Sequence, residues 1–142
     1  MAVQPAPEDQ GGITEAAAGF LEAITETGHA FTAGKFVRFD GTNWVKANAD
    51  TAAHAGDEYR TGFVDALLNT TNEFYLRTGG LLTFTGHGFT TGKELYLNDD
   101  IDGDLTEDPS TDIASGAVML KVGYVIDANT ISVDIDNAYV TE

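Results

Sequence analysis

The stretch GHAFTAGKFVRF, residues 28–39, returns 58 positions later as GHGFTTGKELYL, residues 86–97. In each copy a Gly-His pair precedes a phenylalanine, and a later glycine precedes a short apolar segment. Glycine supplies the backbone freedom that a tight turn needs, and an aromatic side chain can anchor such a turn in a core. The doubled stretch therefore predicts two equivalent corners of one scaffold, each leading into a β-strand.

Other segments recur in the same order as these corners. DG at 40 is matched by DG at 102, GFVDA at 62 by GYVIDA at 123, and NEFYL at 72 by NTISV at 129. The alignment places Phe31 with Phe89, Trp44 near Leu105, and Phe74 and Leu76 with Ile131 and Val133. A unit of about 60 residues with several strands is too long for a solenoid rung, and two copies are too few for an array. We expect pseudo-repeats at 28–80 and 86–138, packed within a single β-rich domain at 13–142.

The segments after residue 28 are short, rich in β-branched and aromatic residues, and separated by Gly, Asn and Asp. FVRF, DGT and NWVKA, between 36 and 47, alternate in the pattern of a β-hairpin. Close turn spacing favours a mainly β fold, a small barrel or sandwich, over a parallel α/β sheet.

The N-terminal part of the chain has a different character. ITEAAAGFLEAITET, residues 13–27, spaces Ala16, Phe20 and Ile24 four residues apart, which predicts a short helix, although its threonine-rich end also suits a strand. Residues 1–12 carry two prolines and two glycines and predict an extended, flexible arm.

The charge balance excludes one class of partner. The 142 residues include 23 Asp and Glu against 7 Lys and Arg, a net charge of −16. Affinity for a nucleic-acid backbone needs clustered cations, so direct nucleic-acid binding is not expected. Such an acidic excess is typical of proteins that work in concentrated salt, where self-repulsion is screened, and it suggests a halophilic or marine origin.

Several kinds of site and anchor lack their sequence signatures. Cysteine is absent, which excludes disulfides, thiolate metal sites and a cysteine nucleophile. No apolar run of about 18 residues occurs and the N-terminus lacks a basic start, so neither membrane insertion nor a secretory signal is predicted.

The three histidines are the first candidates for acid–base or metal chemistry. His29 and His87 lie in glycine-flanked turns without a second ligand at helical spacing, and His54 lies in an alanine-rich loop. Duplicated bases are also a poor match to catalysis, which needs two differently tuned groups. We predict structural roles for these histidines, and no catalytic, cofactor or metal site.

Acidic residues offer two weaker candidates. NDDIDGDLTEDPSTD, residues 98–112, resembles a calcium loop, but Pro109 occupies the place of its bidentate glutamate, so a solvated acidic hairpin loop without a flanking helix is the better interpretation. Asp50, Asp57 and Asp65 cannot be paired as glycosidase carboxylates without geometry. No P-loop or GxSxG motif is present either. The sequence predicts no enzyme.

The order of these motifs resembles a module of tailed-virus structural proteins, in particular small capsid decoration (cement) proteins and head or tail fibre proteins. The resemblance covers about residues 28–136 and rests on the GHxF corner, DGTNWVKANADTAAHA, GFVDALLNTTNEFYLRTGG, ELYLN, GDLTEDPS and KVGYVIDANTISVDI.

This resemblance implies a non-enzymatic virion protein, made in the host cytoplasm, that sits on the capsid surface and stabilises the shell. It implies a homotrimer whose N-terminal arm contacts the major capsid protein, and no cofactor. A tail fibre, baseplate or spike component that contacts the host surface is the alternative. The helix-prone segment at 13–27 is not part of the family's pattern.

Overall fold

Twelve β-strands and one helical turn lie within residues 20–56, 60–69, 71–135 and 139–140, the parts of the chain that the computed structural model describes. The strands are β1 (Leu21–Thr25), β2 (Phe36–Phe39), β3 (Trp44–Lys46), β4 (Thr61–Asn69), β5 (Glu73–Arg77), β6 (Gly80–Thr83), β7 (Glu94–Leu97), β8 (Leu105–Thr106), β9 (Val118–Met119), β10 (Lys121–Asp127), β11 (Thr130–Val133) and β12 (Tyr139–Val140), and the turn is α1 (Pro109–Asp112). The predicted mainly β fold is confirmed.

Two five-stranded antiparallel sheets carry the fold, and their strand orders match. The first sheet runs β1-β5-β4-β2-β3 and the second runs β6-β11-β10-β7-β8. If β9 is left aside, each sheet holds its strands in the order first, fifth, fourth, second, third. We call residues 20–78 lobe 1 and residues 80–135 lobe 2. β9 pairs with β12 in a separate small sheet, and the whole is consistent with a small β-sandwich made from a doubled unit.

Strand register repeats between the lobes as well as strand order. Equivalent cross-strand pairs are Ile24–Phe74 and Leu82–Ile131, Val37–Gly62 and Leu95–Gly123, and Phe39–Trp44 and Leu97–Leu105. These pairs reproduce the sequence alignment of GFVDA with GYVIDA and of Trp44 with Leu105. One detail differs, because the turn that begins at Asp40 is matched by the turn that begins at Asn98 rather than by the later DG at 102.

The predicted helix at 13–27 is wrong where the structure describes that segment. Residues 21–25 form β1, which pairs with β5 along its whole length. Ile24 is buried opposite Phe74, whereas Phe20 stays 47% exposed. Strand pairing with β5 therefore overrides the four-residue spacing, as tertiary context often overrides local propensity. Residues 1–12 and 13–19 lie outside the described residues.

The repeat also begins earlier than the sequence predicted. β1 and β6 are equivalent first strands, so the units start near residues 20 and 80 rather than at 28 and 86. The corner motifs have nearly the same residues in both lobes. LEAIT of β1 and GLLT of β6 occupy equivalent strands but have few residue types in common.

Each lobe has an apolar core, and the outer side of lobe 1 joins the core of lobe 2. Successive residues of a strand point to opposite faces, and Phe36 and Val37 of β2 are both fully buried. Val37 belongs to the lobe 1 cluster, while Phe36 packs in the cluster that contains Leu95 and Leu105 of lobe 2. The sheet of lobe 1 is therefore covered on both faces.

Backbone hydrogen bonds fix the turn between β7 and β8 against lobe 1. The Phe36 N–H donates to the Gly103 carbonyl at 2.9 Å, and the Gly103 N–H donates to the Ala47 carbonyl at 2.7 Å. Lys35 forms an ion pair with Asp104 beside them. Because this turn inserts between β2 and the segment after β3, the two lobes meet through main chain as well as side chains.

Gly34 and Gly92 provide a matched test of the contact between the lobes. Both have positive φ, +94° and +89°, but a Cβ at residue 34 would lie 2.6 Å from the Phe84 ring, whereas one at residue 92 meets nothing within 4 Å. We expect Gly92→Ala to lower the free energy of unfolding by about 1–2 kcal/mol through backbone strain. Gly34→Ala should cost about 1–3 kcal/mol more because Phe84 must move. Urea unfolding in molar salt measures both changes. Equal losses of unfolding free energy in the two variants would show that the Phe84 ring moves aside without cost.

Candidate functional site

The first corner holds His29 by both of its ring nitrogens. Nδ1 accepts a hydrogen bond from the Phe31 N–H at 3.2 Å, and Nε2 lies 3.3 Å from the Glu73 carbonyl, to which it donates. The Gly28 N–H donates to Asn72 Oδ1 at 3.3 Å. The ring is buried and stacks on Phe31 with centroids 5.1 Å apart. These bonds fix the proton on Nε2 and tie the corner to the hairpin of β4 and β5.

The second corner repeats the bonds of the phenylalanine N–H and of the asparagine, but its histidine Nε2 donates to a carbonyl that precedes the asparagine instead of one that follows it. His87 Nδ1 accepts from the Phe89 N–H at 2.9 Å, and Nε2 donates to the Asp127 carbonyl at 2.7 Å. The Gly86 N–H donates to Asn129 Oδ1 at 3.2 Å. Each imidazole therefore uses its lone pair and its proton on the main chain, which leaves no ring nitrogen available for a metal or for proton transfer.

The asparagines of these corners were missed by the sequence analysis. Asn72 and Asn129 begin the aligned segments NEFYL and NTISV, so the signal was present as a shared first residue. Their backbones also bond the residue that follows the first strand of each lobe. The Asn72 carbonyl accepts a hydrogen bond from the Glu26 N–H, and the Asn129 carbonyl accepts one from the Phe84 N–H, both at 2.8 Å. Each asparagine thus joins its corner to its hairpin.

We expect His29→Ala to destabilise the fold by about 2 kcal/mol, because the buried Phe31 N–H loses its acceptor and the packed ring is removed. His54→Ala is the matched control. His54 is half-exposed and contacts Asp50 Oδ1 at 2.7 Å, so its loss should change stability by less than about 0.5 kcal/mol. Urea unfolding of both variants checks the difference, and similar values would contradict a structural role for His29.

The acidic loop at 98–112 forms a hairpin, as predicted, but much of it is packed rather than solvated. Gly103, Leu105 and Thr106 are buried. A one-turn helix, α1, forms the end of this segment where none was predicted, and Pro109 stands at its start, where the missing proline N–H has no bond to lose. The turn at 98–104 therefore contacts lobe 1 through Asn98 and Gly103, while residues 100–102 stay exposed.

The carboxylates of this loop have separate partners. Asp102 Oδ1 accepts from Asn48 Nδ2 at 2.8 Å, and Asp112 Oδ2 accepts from the Thr106 hydroxyl at 2.5 Å. Hydrogen bonds from the main chain and hydroxyl of Thr90 lower the pKa of Glu107 below its ordinary value. No three potential metal ligands gather anywhere in the described residues. The arrangement resembles a network of turns rather than a cation cage.

The scattered aspartates also separate in space. Asp65 Oδ2 accepts from Arg77 Nε at 2.6 Å in a mostly buried pair, and Arg77 also donates to the Gly79 carbonyl at 3.0 Å. Asp50 contacts His54, and Asp57 lies outside the described residues. The Arg77 interactions secure the end of β5 where lobe 1 leads into lobe 2.

A cavity of about 260 Å³ lies between the lobes, lined by the Thr32–Lys35 segment of lobe 1 and by Phe84, His87 and Asp104 of lobe 2. Its two charged groups, Lys35 and Asp104, pair with each other. The His87 ring nitrogens are engaged with the main chain. The charged groups and the imidazole of this cavity are therefore bonded to one another or to the main chain, as is usual where two packed units meet.

A second, more open depression of about 490 Å³ lies at the His29 corner. Its lining includes Glu26, His29 and Trp44 of lobe 1 together with Asp102 from the β7–β8 turn. The corner residues here are the counterparts of those in the first cavity, but within residues 20–56, 60–69, 71–135 and 139–140 no segment equivalent to Thr32–Lys35 covers them. The two cavities are thus one repeated feature, covered in lobe 2 and open in lobe 1.

The fold and these corners define a class, a two-lobed antiparallel β protein with a duplicated histidine corner. No family model, curated protein or solved structure matches the chain. Within the residues that the structure describes, no helix has the length and apolar character needed to cross a membrane.

Proposed function

We propose that this chain is a structural virion protein that decorates and stabilises a viral capsid shell. The observation that carries the proposal is the doubled corner, in which the histidines where a reaction would be sought hold the main chain together in both lobes. A β scaffold whose corners are tied to its hairpins in this way suits a protein that stabilises an assembly. The proposed role needs no cofactor and no reaction centre.

The resemblance to decoration proteins supplies the partners of this proposal. The chain binds the major capsid protein through residues 1–12 and associates with itself as a homotrimer on the capsid surface. The net charge of −16 supports a virus of a halophilic or marine host, because concentrated salt screens the repulsion between neighbouring copies.

Purified virions test the location. A decoration protein is present in many copies spread over the head, as measured by quantitative mass spectrometry of the particle and by labelling in electron micrographs. Few copies confined to the tail would replace decoration by a fibre or baseplate role, and absence from the particle would refute both.

Removal of residues 2–12 tests the mode of attachment. We expect the truncated protein to lose binding to capsids that lack the wild-type protein, while its thermal unfolding midpoint in molar salt is unchanged. A variant in which residues 2–12 are replaced by a Gly-Ser segment of equal length is the control for length alone, and it should bind as poorly as the truncation. Full occupancy by either variant would refute attachment through the arm.

A further inference from the structure

The face of lobe 1 that binds lobe 2 has an open counterpart on lobe 2. In lobe 1, Gly34 is buried, Lys35 is half-buried and Phe36 and Phe63 are fully buried. The residues at the same places in lobe 2 are Gly92, Lys93, Glu94 and Tyr124, and all four are exposed. Among the residues that the structure describes, the same sheet surface is therefore covered in one lobe and uncovered in the other.

This open surface carries exposed apolar side chains beside its charged ones. Leu81 and Tyr124 both pair with Ser132, from opposite sides, so their side chains share one face. Leu81 is 60% exposed and Tyr124 is 41% exposed, and Ile126 further along β10 is 38% exposed. Contiguous apolar patches on a soluble protein mark interaction sites. We call Leu81, Lys93, Glu94, Tyr124 and Ile126 the outer face of lobe 2.

The surface of lobe 2 that contacts lobe 1 also has a counterpart, which lies on lobe 1. Lobe 2 receives lobe 1 around Phe84, His87 and Asp104, which line the covered cavity. The counterparts of these residues are Glu26, His29 and Asn43, and they line the open depression of lobe 1.

Charge complementarity favours a particular occupant for this depression. Lys35 of lobe 1 pairs with Asp104 in the covered cavity, and its counterpart Lys93 lies exposed on the outer face of lobe 2. The open depression is lined by two carboxylates, Glu26 and Asp102, and by one cation, Lys46, so its lining carries a net negative charge. A second copy of the chain presents the Lys93 cation to this net negative depression, beside a sheet face on which Glu94 is paired with Lys121 at 3.6 Å.

We infer that the outer face of lobe 2 binds the His29 depression of a second copy, head to tail, in the way that lobe 1 binds lobe 2 within the chain. A head-to-tail contact closes into a ring or continues as a filament, whereas a two-fold contact would place identical residues opposite each other. Three chains closed in this manner would present six similar lobes around one axis. The inference stands on the repeat and does not depend on attachment to a capsid.

Cysteine cross-linking tests the contact directly, because the chain contains no native cysteine. Lys93→Cys and Asn43→Cys occupy the positions equivalent to Lys35 and Asp104. In molar salt with a short bis-maleimide, we expect a mixture of the two variants to give cross-linked dimers and each variant alone to give none. Ser115→Cys, an exposed residue outside both surfaces, should not cross-link with Asn43→Cys.

Two results would overturn the inference. Cross-linking of Lys93→Cys to itself would indicate a two-fold contact, and absence of cross-links in the mixture would show that these surfaces do not meet. The double variant, with both cysteines in one chain, should give closed covalent rings or a ladder of larger species.

A substitution on the outer face gives an independent measure. Tyr124→Glu should weaken self-association about tenfold or more by sedimentation velocity, because aromatic side chains often dominate such contacts. Ser115→Glu, which adds the same charge at an exposed residue outside both surfaces, should leave the dissociation constant unchanged. Equal effects of the two substitutions, or a monomeric wild-type protein at molar salt, would count against the contact.

Discussion

Replacing Phe63 with alanine is expected to lower the free energy of unfolding by about 3–5 kcal/mol, the usual cost of removing a buried phenylalanine. Phe63 is fully buried and meets Phe36 edge to face, with ring centroids 5.1 Å apart. Both rings belong to the apolar cluster that joins the outer side of lobe 1 to lobe 2. The substitution therefore opens a cavity between the lobes rather than at an edge. Urea unfolding in molar salt, followed by tryptophan fluorescence and circular dichroism, measures the loss.

The repeat supplies the control for this experiment. Tyr124 is the counterpart of Phe63 but is 41% exposed, so Tyr124→Ala should cost less than about 1 kcal/mol at concentrations where the protein is monomeric. A loss as large as that of Phe63→Ala would contradict the difference in burial between the two faces. Unfolding of lobe 1 alone in Phe63→Ala, seen as two separate transitions, would show that the lobes fold independently.

Lowering the salt concentration from molar to about 0.1 M is expected to destabilise the protein by a few kcal/mol and to weaken self-association further. Two like charges 10 Å apart in water repel by about 0.4 kcal/mol before screening. The screening length is about 3 Å at 1 M salt and about 10 Å at 0.1 M. The repulsion between such pairs is therefore almost abolished at 1 M and partly retained at 0.1 M. The net charge of −16 supplies many of them. Thermal unfolding and sedimentation across a salt series measure both effects.

A less acidic variant separates charge screening from other effects of salt. Glu73→Lys with Asp100→Lys exchanges two exposed acids for bases and reduces the net negative charge by about a quarter. Its unfolding midpoint should depend less steeply on salt than that of the wild type. Parallel curves for the two proteins, or a wild type indifferent to salt, would remove the inference of a high-salt origin.

The strands and the doubled scaffold could be predicted because they depend on local patterns. The DGT turn fixes the hairpin of β2 and β3, and the GHxF corners sit at equivalent points in both lobes. Alignment of the two halves therefore gave the correct counterparts of Trp44 and Phe74, which are Leu105 and Ile131. β1 was mistaken for a helix because its register is set by β5, some fifty residues away. Only pairing with that strand decides which face of LEAIT is buried.

The proposed contact surfaces could not be predicted from the sequence, because the two lobes carry similar strands in different surroundings. Phe36 and Glu94 occupy equivalent positions, yet nothing in the local pattern states that the first is covered by lobe 2 and the second is open. The longer turn at 98–104, compared with 40–43, was visible as a change in spacing. Its insertion against Ala47 depends on how the lobes pack, which alternation within a strand does not report.

The very short connection between β5 and β6 has a consequence for where copies of this protein meet. Arg77 ends β5 and Gly80 begins β6, so the two lobes are tethered almost without slack. Tethering of this kind raises the effective concentration of one binding surface near another into the millimolar range or above. The same pair of surfaces on separate molecules has no such advantage. Contacts between chains would thus strengthen with protein concentration, and occupancy would rise cooperatively where an underlying lattice holds neighbours at fixed spacing.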